Sequence, residues 1–389
     1  MEPRVSAAIV ASLVSQALLL LLLFSPSIPL LLLSSSSSSS SRPLQSRKRK
    51  RIYGEDDQDP DDNVVVPRSG PDHFRVCFGM SSSTFEWLSG LLEPLLDCRE
   101  PEGALPRLPP RTRLAVALSR LASGCPYSEL ARRFSVPEST ARFSARRLYR
   151  VLCTNFRFWL AFPSFPDLQS VSSSFQSLPL GLPDCCGAII SARFDIHSGA
   201  SVAAQIVADS SSRILSIAAG FKAEKSDYQV LQCSSLYKDM AAGRLLNSTQ
   251  YLVGDGNYPL LPWLMVPYED PTRGTCEEDF NAAHRLMLRP ALRTVASLRN
   301  WGVLACLREE GDAKMAVACI GTCAILHNVL LMREDYTALS DESRDFSPAS
   351  GSLGDDASSV VSEKRALVMR SMLSVKARMQ SASSNLVCS

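Results

Sequence analysis

Histidine is scarce in this 389-residue chain: four are present, and no two stand at ligand spacing. His73 falls in a linker, His197 in a turn, and His284 and His327 on helical stretches, which excludes a histidine-built metal centre. The twelve cysteines include no C-x2-C pair with a second pair beyond it. Cys185 and Cys186 are adjacent, and Cys319 and Cys323 lie one helical turn apart. They read as reduced, buried thiols of an intracellular protein rather than a zinc ribbon or a disulfide scaffold. Acids are missing locally. Residues 107–157 hold only Glu129 and Glu138, and no Asp or Glu occurs between Asn281 and Cys306. Hydrophobic content of 46% over this length leaves room for two domains plus tails.

The first 71 residues read as a low-complexity tail. Residues 7–33 are largely apolar, long enough for a signal or membrane anchor, but Ser15-Gln16 and Ser25-Pro26-Ser27-Ile28-Pro29 interrupt them. A serine spacer, Ser34–Ser41, leads to Arg47-Lys48-Arg49-Lys50-Arg51 and then to the acidic 55–62. Five consecutive cations in a tail form a nuclear-import candidate or a cytosolic flank for an anchor. The downstream residues favour the nucleus over the membrane.

Residues 72–165 read as an all-α module. Ser81–Leu96 repeats Phe85, Leu88, Leu91, Leu92 and Leu95 on one face, with Ser83 as the expected N-cap. Helices are predicted over 113–121, 128–134 and 138–152. The last two, separated by Ser135-Val136-Pro137, make a helix-turn-helix pattern. Residues 107–157 carry eleven cations, all Arg. Arg142, Arg146 and Arg150 line one face of the second helix with Arg147 beside them, a candidate DNA contact. The alternative is an ordinary solvated face.

Residues 182–333 read as α/β. Strands are predicted over 185–194, 201–208 and 214–219 as an antiparallel meander, then a helix from Ser226 to about 246 and a strand at Tyr251–Val253. Helices over 277–288, 290–299 and 313–332 follow. The fourth strand ends at Gly254-Asp255-Gly256, where an acid either starts a turn or binds a metal at a strand tip. From 334 onward the chain is Ser- and acid-rich and is expected to be disordered, with a helix over 362–380 whose Leu367, Met372 and Leu373 would be open to a partner.

Several strings resemble PIF/Harbinger transposases, which are DDE nucleases. Gly254-Asp255-Gly256-Asn257-Tyr258-Pro259-Leu260, with Pro262-Trp263-Leu264-Met265 and Pro267-Tyr268, is similar to the second catalytic segment. Pro183-Asp184-Cys185-Cys186-Gly187-Ala188-Ile189 resembles the first catalytic strand, and Gly220 with Ser226-Asp227 the middle segment. Phe280-Asn281 with His284 resembles the entry to the third catalytic helix, and Cys323-Ala324-Ile325-Leu326-His327-Asn328 the closing helix. The resemblance implies an RNase H-like DDE nuclease domain, preceded here by the helix-turn-helix module. It also implies a divalent metal (Mg or Mn), DNA as partner, and association with a Myb-like protein and chromatin regulators.

By the same resemblance the first acid falls on Ile190, the second is Asp255, and the third falls on Leu292. A two-metal nuclease needs converging carboxylates, so two of three positions lack the acid. Asp195 lies on the opposite strand face from Ile190. Glu277, Glu278 and Asp279 are upstream of the third position, and Arg285, Arg289 and Arg293 follow them. Asp227, at a helix start, is the best outside candidate to join Asp255 at a metal. The expectation is a domesticated transposase with a degenerate triad, acting on chromatin in the nucleus; the alternative is an active metal-dependent endonuclease.

Overall fold

A computed structural model describes residues 71–98, 108–197, 200–310, 312–335 and 360–387. The apolar run over 7–33, the basic cluster at 47–51 and the acidic stretch after it lie outside the described residues, as do 336–359. The described residues cluster as one compact unit.

Six helices come first: α1 (Pro71–Phe78), α2 (Ser82–Leu96), α3 (Pro110–Ser123), α4 (Tyr127–Arg133), α5 (Glu138–Asn155) and α6 (Phe165–Gln176), with a 3₁₀ turn at Arg157–Leu160. Ser81, not Ser83, caps α2, accepting from the Thr84 amide. Its own amide and hydroxyl donate to Asp335 Oδ2 at 2.8 and 2.7 Å, fixing the start of α2 to a residue far along the chain.

The sheet follows: β1 (Cys185–His197), β2 (Ala200–Ala208), β3 (Ile214–Lys222), β4 (Tyr251–Gly254) and β5 (Leu264–Met265), in the order β3-β2-β1-β4-β5. β1, β2 and β3 form the expected antiparallel meander, while β4 pairs parallel to β1 and β5 parallel to β4. Both faces are covered. Ala188, Ile190, Ala192 and Phe194 of β1 pack into one cluster with α9 (Cys276–Arg299), α10 (Ala313–Met332) and the N-terminal helices. Ile189, Leu252 and Leu264 pack on the other face with α6, α7 (Asp227–Cys233) and α8 (Ser235–Ala241). α10 is apolar all round, the pattern of a helix enclosed on every side; it lies in the core between the N-terminal helices and β3.

Three expectations are corrected by packing. The single helix from Ser226 to 246 is two, because Ser234 is extended there; its hydroxyl accepts from the Tyr237 amide to cap α8 and lies 2.6 Å from the Leu231 carbonyl. The two helices split at Pro290 are one, α9, because Phe280, Ala283, Met287, Ala291, Val295 and Leu298 bury one continuous stripe across the proline. The isolated helix expected over 362–380 of the tail is the longer α11 (Val360–Val387), and it is docked. Ala366, Leu373 and Ala377 of α11 are buried, and Arg378 pairs with Asp279 of α9 at 2.7 Å, so Leu373 is not open to a partner.

The N-terminal helices and the sheet share one hydrophobic cluster. Two further contacts join them. Gly124 ends α3 at φ +65°, and a Cβ there would stand 2.4 Å from the Gly302 carbonyl oxygen, so only glycine permits the approach. Arg120, fully buried, donates to Glu310 Oε1 at 3.1 and 2.9 Å and to the Gly124 and Cys125 carbonyls. Tyr127 donates its hydroxyl to the same carboxylate at 2.9 Å. Burial opposes the Arg120 charge, but Glu310 together with Tyr127 and Tyr149 more than offsets it and the pKa is raised. Removing one partner of such a pair strands a charge. Glu310→Ala is expected to cost about 3–5 kcal/mol in denaturant unfolding, whereas Glu129→Ala, at the exposed Arg133–Glu129 pair, costs less than about 1 kcal/mol.

Candidate functional site

Asp255 follows β4 directly, where Ile189 of β1 pairs with Gly254. Its Oδ1 accepts from the Asn257 amide at 3.0 Å and its Oδ2 from the Asn257 side chain at 3.3 Å, which holds the Gly-Asp-Gly-Asn turn closed. Burial pushes its pKa up to about 6, with Asp227 raising it further and Asn257 and Arg193 working the other way.

Asp227 is therefore near Asp255, and it is already engaged. At the first position of α7, behind the Ser226/Gln229 capping box, it accepts from Arg193 at 2.6 Å. Arg193 reaches it from β1 and also donates to the Lys225 carbonyl at 3.1 Å. Ser191, on the same face of β1, meets the buried Tyr258 hydroxyl at 2.9 Å, and Gln205 donates to that hydroxyl at 3.2 Å. Burial raises the Tyr258 pKa, so the phenol stays neutral. The result is a polar cluster of Asp255, Asn257, Asp227, Arg193, Ser191, Tyr258 and Gln205.

Sequence reasoning missed Arg193, Ser191 and Gln205 as neighbours of Asp255, and gave Tyr258, which stands in the same motif, no role. A period of two along β1 groups Ser191 with Arg193, but only strand order shows that α7 and the β4 turn come to them.

Ile190 is buried on the opposite face of β1, in the cluster that α9 covers, and Leu292 is half-buried against that cluster. Asp195 is exposed and accepts from Ser201 at 2.6 Å. On α9, Asp279 is paired with Arg378, and Glu278 accepts from the Gly274 amide. Two divalent ions about 3.5–4 Å apart need several carboxylate oxygens between them. This cluster supplies Asp255, and Asp227 only if it leaves Arg193. The donor set does not fit such a pair.

The other motif residues hold structure. Asn281 accepts from the Tyr268 amide and donates to its carbonyl, both at 2.9 Å. Asn328 does the same to Ile214 at 2.8 and 2.7 Å and also donates to the Trp159 carbonyl. His327 Nε2 lies 2.8 Å from the Ser212 carbonyl. Burial holds His284 down to about 4, and its Nε2 lies 3.3 Å from the Met265 carbonyl.

The arginines of α5 are also largely engaged. Arg142 stacks 4.3 Å over the Tyr127 ring, pairs with Glu138 and donates to the Glu309 carbonyl. Arg146 donates to the Glu310 carbonyl, and Arg147 to the Leu95 carbonyl at the end of α2. Arg150 is exposed. Arg113 and Arg120, counted with the same basic stretch, are core residues.

A carboxyl whose folded pKa lies above its unfolded value binds more protons when folded between those two values. Its stabilising contribution is complete below about pH 4 and is lost as pH rises through about 6. Asp255→Asn removes that dependence. Between pH 4 and 7 the variant is expected to gain about 3 kcal/mol on wild type, read from parallel denaturant titrations.

Residues 193–328 match the family model described as DDE superfamily endonuclease. The match spans Asp255 and Leu292 and begins three residues beyond Ile190. A protein named ALP1-like, from Arabidopsis thaliana, is 27% identical over 330 residues, covering 76% of this chain and 80% of that protein. Antagonist of like heterochromatin protein 1, from the same plant, is 26% identical over 301 residues, covering 70% of this chain and 76% of its own length. No solved structure matches. With the Gly-Asp-Gly-Asn turn at the tip of β4 and this pattern of relatives, the chain is a Harbinger-derived protein of the DDE superfamily.

Proposed function

We propose that this chain is a domesticated transposase with a degenerate catalytic triad, acting as a DNA- or chromatin-associated protein of the nucleus. The observation that carries the reading is the Arg193–Asp227 pair beside Asp255. A guanidinium already neutralises the nearest second carboxylate, and the two remaining acid positions are the apolar Ile190 and Leu292. Asp255 alone offers too few hard oxygens for a two-ion mechanism.

Two features support the chromatin half. One relative is named for antagonism of a heterochromatin-like protein. The basic cluster at 47–51 has the composition of a nuclear-import signal. DNA contact through α5 falls first to Arg150, whose side chain is exposed; Arg142, Arg146 and Arg147 would bring to phosphate only the donors left over from their carbonyls. A Myb-like protein and chromatin regulators are the partners this reading expects.

The test is incubation of the full chain with duplex DNA in Mg²⁺ or Mn²⁺, with Asp255→Ala alongside. No cleavage by either protein is expected, together with DNA binding that weakens as salt rises. Cleavage abolished by Asp255→Ala would establish the active endonuclease instead. Absence of salt-sensitive binding would remove the DNA half of the reading.

A further inference from the structure

A cavity of about 320 Å³ lies between α9, the loop that follows α6 and the turn joining β2 to β3. Arg289 and Arg293, one turn apart on α9, line it together with Ser210 of the β2–β3 turn. Leu178, Leu286 and Pro290 supply an apolar wall, and among the described residues no Asp or Glu lines it. Asp209, the acid of the β2–β3 turn, is held by that turn: its Oδ1 accepts from the Ser211 and Arg213 amides at 2.9 and 3.0 Å. Arg289 is exposed and has no hydrogen bond or ion pair among the described residues.

The walls are fixed. The Ser212 carbonyl lies 2.9 Å from Thr294 Oγ1 and 2.8 Å from His327 Nε2, which fastens the β2–β3 turn to α9 and α10. Pro290 has no N–H to give the Leu286 carbonyl, so one acceptor lacks its helical donor between two residues of the lining. The place is separate from the polar cluster around Asp255. The β2–β3 turn lies beyond Ala208, which pairs with Ala188 near the start of β1, whereas Asp255 follows the end of β4.

We infer that this cavity binds a nucleotide, with the phosphate on Arg289 and Arg293 and the base against Leu178, Leu286 and Pro290. A cationic lining without a carboxylate selects an anion. Two guanidiniums one turn apart offer several N–H donors to the oxygens of one phosphate. The volume is at the lower end of small-molecule sites, which start at roughly 300 Å³, and inorganic phosphate alone would leave most of it empty. A nucleobase has apolar faces for the wall and, in adenine, an amino group that the Leu286 carbonyl can accept from. A free mononucleotide and the phosphorylated end of a DNA strand present the same chemistry. The inference does not depend on DNA contact through α5.

Calorimetric titration of the full chain with dAMP, deoxyadenosine and inorganic phosphate tests it. The nucleotide is expected to bind at least about tenfold more tightly than either fragment. Arg289→Ala should weaken dAMP binding at least about tenfold, with an unchanged melting curve because the side chain is exposed. Arg289→Lys should recover only part of that loss, since an ammonium lacks the planar fork. Arg150→Ala should leave dAMP binding unchanged while duplex binding falls, so failure of this site and failure of the DNA reading are distinguishable. No binding of dAMP up to about 10 mM, phosphate binding as tightly as dAMP, or dAMP binding unchanged in Arg289→Ala overturns the proposal. Binding of a phosphoserine peptide without binding of dAMP overturns it in favour of a protein partner. A terminally phosphorylated single strand that displaces dAMP, and that binds Arg289→Ala more weakly, assigns the strand end as the source. Displacement by mononucleotides alone assigns the free nucleotide.

Discussion

The buried carboxylate of Glu310 is the constraint on which the arrangement of the two halves depends. It lies in a 3₁₀ turn between α9 and α10 and is completely buried. Arg120 reaches it from α3 and Tyr127 from α4. Arg142 and Arg146 of α5 donate to the backbone of the same turn. A buried charge tolerates little displacement, because every lost donor leaves an unpaid desolvation cost. One short turn therefore fixes three helices against the sheet. The near-contact of Gly124 with Gly302 repeats the constraint at backbone level.

That arrangement changes the meaning of the arginine-rich stretch. In sequence, eleven arginines facing two acids look like a surface awaiting phosphate. In the fold the missing acid is supplied by Glu310, far along the chain, and the missing acceptors by carbonyls at helix and turn ends. Charge balance along a segment says little when the neutralising groups are distant in sequence. Arg150 alone of the four proposed DNA contacts has its side chain exposed.

The meander, the tip strand of Asp255 and α10 were legible because period-two and apolar runs determine them directly. The break at Ser234 and the continuity through Pro290 were not: the first turns on one serine capping the helix that follows it, the second on tertiary packing that overrides the proline. α11 was read as a helix with its partner-facing side partly misassigned: Leu367 and Met372 are exposed, but Leu373 faces α9. Periodicity identifies faces and does not say which one docks when a helix carries two. At the site, Asp255 was singled out through the resemblance and Asp227 only as an outside candidate at a helix start, whereas Arg193 was not singled out. Nothing along β1 distinguishes an arginine paired with a helix start from one in water.

The family signature and the family chemistry occupy different residues in this chain. Asn281, His284, His327 and Asn328 bind backbone at the joints between strands and helices. Changing any of them would leave a buried donor or acceptor unpaired, so fold stability alone is a reason to keep them. Acids at the positions of Ile190 and Leu292 would have no such structural reason to persist. A carboxylate beside an apolar cluster is costly unless a cation compensates it. On the reading proposed above, once the metal is dispensable, apolar side chains there cost less than the acids they replace. Arg193 supplies the charge that Asp227 still requires. On that reading the Arg193–Asp227 pair and the Asn257 hydrogen bonds to Asp255 leave protein groups as the partners of both carboxylates.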